Sequence, residues 1–131
     1  METNQTEMPF VPETKEPLTD AQASFIDSIN DLSQTIHATA VSKGWWDGDR
    51  NNGELIALIH SEASEALEAL RHGNGPSDHI PEFSGAEEEM ADVIIRVLDM
   101  SAARGWRIGE AIIEKMRFND RRAFRHGGKV F

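Results

Sequence analysis

Apolar residues recur along this chain at the three- and four-residue steps of an α-helix, with no stretch of strand-like alternation. Phe25, Ile29, Leu32 and Ile36 form one such stripe, preceded by Thr19 and Gln22 at capping-box spacing. They predict a first helix from about residue 20 to Lys43, closed by Gly44. A second helix is expected after Asn51, where Asn51 and Glu54 repeat that spacing, and it ends near Arg71-His72-Gly73. Residues 73–83 hold Gly75, Pro76 and Pro81 and read as a loop. Ser84 and Glu87 open a third helix that stops at Arg104-Gly105, and a fourth covers about Ile108 to Arg125 before Gly127-Gly128. The expectation is an all-α, four-helix bundle over residues 19–131, behind a disordered N-terminal tail of residues 1–18.

Against this regular background the acids are misplaced. On a wheel of about 100° per residue, Glu62 shares its face with Leu55, Leu58, Ile59, Ala66 and Ala69. Glu65 lies at the edge of that stripe, while Glu54 and Glu68 point further out. The third helix is apolar almost all round from Met90 to Leu98, which predicts burial on several sides. Its one polar stripe contains Glu89, Asp92, Arg96 and Asp99, and Glu88 points more outward. Glu62-x-x-Glu65 and Glu89-x-x-Asp92 are therefore two carboxylate pairs on consecutive helices, each pair on one helix face. A single such pair in an acidic protein is ordinarily a solvated surface feature. Two that face inward are costly unless paired, hydrogen-bonded or bound to metal. Four carboxylates suit a hard divalent cation, Mg²⁺ or alternatively Mn²⁺, better than iron or zinc.

Composition narrows the field. The chain has 131 residues, a single domain's length, and no cysteine, so thiolate sites and disulfides are excluded and a cytoplasmic, reducing setting is expected. No stretch approaches the length of a membrane span, and the N-terminus does not resemble a signal peptide. The net charge of −10 is uneven. Residues 104–131 carry eight Lys and Arg against three acids, a net +5, which leaves −15 on the rest. That much negative charge repels an extended nucleic acid, whereas a small polyanion between a metal and a basic arm is compatible with it.

The fourth helix adds a basic counterpart. Lys115 and Asn119 share a stripe with Ile108, Ala111, Ile112, Phe118 and Arg122, which would turn them toward the same interior as the acids. A cation and an amide suit a phosphate chain and a base or sugar. Trp46, in the loop before the first acid pair, is a candidate to stack on a base, with Trp45 beside it. His37, His60 and His72 fall on or near helix exteriors, and no Glu-x-x-His occurs, unlike the carboxylate di-iron bundles. Phosphate-loop, dinucleotide-binding and serine-elbow motifs are absent.

The runs Glu62-Ala63-Ser64-Glu65, Glu88-Glu89-Met90-Ala91-Asp92-Val93 and Lys115-Met116-Arg117-Phe118-Asn119 resemble the MazG-like nucleotide pyrophosphohydrolases of the all-α NTP pyrophosphohydrolase superfamily. The resemblance covers about residues 20–128. It implies Mg²⁺-dependent cleavage of a nucleoside triphosphate to the monophosphate and pyrophosphate, with Glu62, Glu65, Glu89 and Asp92 as catalytic metal ligands. It further implies that Lys115 and Asn119 contact the nucleotide, and that the chain forms a homodimer or homotetramer. Two rivals remain. One is a dUTPase/dCTPase-like enzyme or a phosphoribosyl-ATP pyrophosphohydrolase of the same superfamily. The other is a non-catalytic, metal-binding helical module.

Overall fold

The computed structural model describes residues 15–122. Four helices follow one another: α1 (Asp20–Ser42), α2 (Asn52–Arg71), α3 (Gly85–Arg104) and α4 (Ile108–Asp120). No strand occurs among the described residues, and one isolated bridge joins Pro76 to Ser84. None of these helices is long and apolar enough to cross a membrane.

Most helix ends have local causes. Thr19 with Gln22 and Ser84 with Glu87 form reciprocal capping boxes, while Asn51 accepts from the Glu54 amide without the return bond. Gly44, Gly73 and Gly105 take positive φ just past the ends of α1, α2 and α3, where a side chain would be strained. The exception is α4, whose N-cap Arg107 makes no capping bond. Asn30 of α1 caps it from outside, accepting from the Gly109 amide at 3.0 Å and donating to Glu110 at 2.6 Å. α4 ends at Asp120, and residues 123–131, including Gly127-Gly128, lie outside the described residues. Of the expected tail, residues 1–14 also lie outside them; Arg117 donates to the Glu16 and Pro17 carbonyls at 2.7 and 2.9 Å.

α3 is the centre, packed against both α2 and α1, and α4 rests chiefly on α1. The buried apolar set is small: Ile26, Leu55, Ala66, Leu98, Met100 and Ile113. α1 serves two neighbours, so its inner face runs through Ile26, Ile29, Asn30 and Ser33 rather than through Phe25 and Leu32, which are exposed. Ser33 completes the seam by donating to the Leu98 carbonyl at 2.5 Å. α3 departs further from expectation. Met90, Ile94 and Ile95, expected to be buried, are exposed, while Glu89, Asp92, Arg96 and Asp99 are half-buried, as the inward-facing acid pair required. A single chain offers α3 two neighbours, and they meet its polar stripe.

Where α4 crosses α1, a Cβ built on Gly109 would stand 2.7 Å from Ile29 Cγ2, 2.8 Å from Asn30 Oδ1 and 3.0 Å from the Ile26 carbonyl. Gly109→Ala should therefore lower stability by about 1–3 kcal/mol, overriding the gain in helix propensity. A urea titration checks this; an unchanged or raised midpoint would show that α4 does not approach α1 so closely.

Candidate metal centre

α2 and α3 run against one another so that residues a turn apart on each meet across the seam. Glu62, 8% exposed, occupies the inner face of α2 among Leu55 and Ala66. Opposite it on α3 stand Glu89 and Asp92, and one oxygen from each of the three lies within 4.8 Å of the others. Three ligands of an octahedral ion with bonds of about 2.1 Å lie about 3.0–4.2 Å apart, so the group must draw closer together to share one. Glu89 Oε2 is buried and has no hydrogen-bond partner. A buried acceptor left so is expensive, and a cation or a proton is what relieves it. The donors are all carboxylate oxygens, which fits Mg²⁺ or Mn²⁺ and not a metal that selects thiolate or imidazole.

Arg96, one turn beyond Asp92, favours the ionised form of Glu62 and, less strongly, of Asp92. Its Nε donates to Glu62 Oε1 at 2.6 Å. Burial alone would push the Glu62 carboxyl up, but the bond and charge of Arg96, with hydrogen bonding to Glu65 and Glu89, hold it below 4.5. Glu89 lacks a cation of its own. Burial raises it first, and the neighbouring Glu62 and Glu65 carboxyls push it to about 7. Asp92 is raised by burial and by the charges of Glu62 and Glu88. Without a metal, Glu62 is thus pushed toward ionisation and Glu89 toward its protonated form. Glu65 is exposed and outside the group of three, yet near enough to perturb both Glu62 and Glu89.

A cleft of about 390 Å³ opens from Glu62 and Asp92 and continues between α1 and α3 toward Asp99. Its size suits a small-molecule ligand. Thr35, Thr39, Ile36 and Ile95 line its walls, and Lys43, Arg50 and Arg96 supply cations. Matches to this chain are absent among family models, curated proteins and solved structures. The site therefore has to be read from its own geometry.

That geometry treats the remaining candidates unequally. Trp46 is half-buried and engaged: its Nε1 donates to Asp99 at 3.1–3.2 Å, the Arg50 guanidinium covers its ring at 4.9 Å, and His37 meets it edge-on at 5.2 Å. Trp45, 58% exposed, is the tryptophan that lines the cleft. Lys115, Asn119 and Arg122 are exposed on α4, whose main contact is α1, so one chain does not bring them to the carboxylates. Lys115 and Arg122 flank the Phe118 ring instead, at 4.5 and 5.8 Å. His60 and His72 are exposed as expected. His37 is not an exterior residue, because its Nδ1 lies 2.8 Å from the Asp99 carboxylate across the α1–α3 seam.

A carboxyl whose folded pKa is raised stabilises the fold fully below its unfolded value, and loses that contribution as pH climbs through the folded one. For Glu89 the window runs from 4.5 to about 7. In EDTA, wild-type stability should fall across that window, and Glu89→Gln should flatten the fall. The contribution of His79, raised above 6.5 by Glu88, is common to both proteins and cancels in the comparison. Parallel urea midpoints for the two proteins across these pH values would refute the raised carboxyl.

Proposed function

We propose that this chain is an α-helical, Mg²⁺-dependent nucleoside triphosphate pyrophosphohydrolase of the MazG-like type, releasing a nucleoside monophosphate and pyrophosphate. The observation that carries the reading is the convergence of Glu62, Glu89 and Asp92 around a buried, unpartnered oxygen at the mouth of a cleft lined by cations and Trp45. The resemblance of the acid pairs and of Lys115–Asn119 to that family supports it. Clearing non-standard or excess deoxynucleotides is the role such an enzyme would serve.

In this reading Glu62, Glu89 and Asp92 hold the cation, with Glu65 at its margin. Bound there, Mg²⁺ would neutralise the phosphate chain and acidify a water molecule. Arg96 orients Glu62 through its 2.6 Å bond and keeps it ionised for that task. The walls of the cleft take the nucleoside, with Trp45 placed to stack on the base, and Lys43 and Arg50 at that end offset the surrounding acids as the polyanion approaches. One carboxylate of the group accepts the proton of the attacking water. The contribution of the chain is positioning and charge rather than a covalent intermediate.

The exposed Met90 and Ile94 of α3, with Ile56, Leu67 and Leu70 of α2, are more apolar surface than a monomer comfortably shows, which supports a homodimer or homotetramer. Lys115, Asn119 and Arg122 would then serve the substrate from a second copy. A second reading is favoured by one observation: Arg96 already neutralises Glu62 without any metal. This makes a non-catalytic helical module, which binds a cation but turns nothing over, a definite rival.

A panel of nucleoside and deoxynucleoside triphosphates, dUTP, dCTP and phosphoribosyl-ATP among them, assayed with Mg²⁺ for monophosphate and pyrophosphate, separates these readings. Turnover should require Mg²⁺ and fall by about 10²-fold or more in Glu62→Gln and Asp92→Asn proteins that remain folded. Metal binding without turnover of any substrate would establish the rival module. Full activity in both variants would displace the site.

A further inference from the structure

The loop between α2 and α3 carries a side-chain cluster that the reaction described above does not use. Ser77, 4% exposed, donates its hydroxyl to Glu88 of α3 and accepts the amides of His79 and Ile80 at 3.2 and 3.1 Å. The other Glu88 oxygen is hydrogen-bonded to His79 Nδ1. The loop is braced independently by Ser77 N–H to the Phe83 carbonyl at 2.8 Å and Gly85 N–H to the Gly75 carbonyl at 2.9 Å. Ser77 already ties it to α3, so its shape does not require an imidazole. Yet His79 is fixed at Nδ1 while its side chain is 82% exposed, which leaves Nε2 presented to whatever approaches.

Its place along α3 gives this a direction. Glu88 lies one turn before Asp92, and the charge of His79 is felt at Asp92. The cleft leaves the carboxylates the opposite way, past Arg96 to Asp99. Glu88 and Asp99 are separated by roughly 16 Å of helix axis at about 1.5 Å per residue. A nucleotide whose base and sugar fill the cleft, and whose reacting phosphate sits over the carboxylates, carries its outer phosphates toward His79.

We propose that His79 binds the terminal phosphates of the substrate and of the pyrophosphate product, donating from Nε2 while Glu88 and Ser77 hold the ring. This rests on the pyrophosphohydrolase reading above. Direct metal ligation does not compete with it, because no donor atom of His79 joins the group within 4.8 Å. The bond and charge of Glu88 raise the imidazole above 6.5 and favour the form in which both ring nitrogens donate. Asp78 and Glu82 nearby oppose a bare polyphosphate, so the contact is made to the magnesium chelate.

Magnesium pyrophosphate, titrated calorimetrically into the full chain and into its His79→Ala and His79→Arg variants, tests this without turnover. Affinity should drop about tenfold or more in His79→Ala and recover largely in His79→Arg. Binding of Mg²⁺ alone should be equal in all three proteins. Equal pyrophosphate affinity in wild type and His79→Ala overturns the inference, as does a parallel loss of Mg²⁺ binding, which would make His79 part of the loop's framework only. Failure of the wild type both to bind pyrophosphate and to turn over any nucleotide would overturn the underlying function as well.

Discussion

The rest of this structure depends on one choice: α3 turns its polar stripe, alongside Leu98 and Met100, toward α2 and α1. Three carboxylates are thereby pressed together with a single guanidinium. Glu62 takes that guanidinium and ionises, and Glu89, left with a buried oxygen and no partner, must hold either a proton or a cation. Like charges at such separations repel strongly where water is scarce. The arrangement is therefore a poor structural ion pair, and its three carboxylates could hold a cation. Arg96 offsets one of those charges through its bond to Glu62.

The same turn of α3 shapes the rest of the site. Since Asp92, Arg96 and Asp99 follow one another along a single face, the acid group and the α1–α3 cleft form one continuous surface. The Asp99 carboxylate then locks the far end of that surface by accepting from Trp46 and pairing with His37. Trp46 is held by those partners, and Trp45 is left to face the cleft. The cost of the choice falls on the other side of α3, where Met90 and Ile94 remain exposed.

What the amino-acid sequence revealed follows from the range of the interactions involved. Helix starts set by Thr19–Gln22, Asn51 and Ser84–Glu87, and ends set by Gly44, Gly73 and Gly105, are local, and a local pattern suffices to place them. Glu62 on the inner face of α2 was legible too, because its helix has one clear apolar stripe. The inward turn of the α3 acid pair was legible as well, but the near-uniform apolarity of that helix hid which apolar residues, Met90, Ile94 and Ile95, would stay exposed. On α1, Phe25 and Leu32 outweigh Asn30 and Ser33 in any hydrophobic pattern, yet the smaller residues face inward, where α3 and α4 must both approach. Arg96, His37 and His79 were missed as site residues because each matters through a partner far along the chain or across a loop. Arg96 stood in plain view among the acids of α3, but its partner Glu62 lies on another helix. The orientation of Lys115 and Asn119 toward the acids failed for a related reason: a helical wheel gives a face but not the neighbour that meets it.

The most direct test of the central claim is a crystal structure of the full chain grown with Mn²⁺, located by its anomalous scattering. The account predicts one peak in direct coordination distance of Glu62, Glu89 and Asp92 together. A peak confined to surface acids, or none at saturating Mn²⁺ with Arg96 still bonded to Glu62, would contradict it.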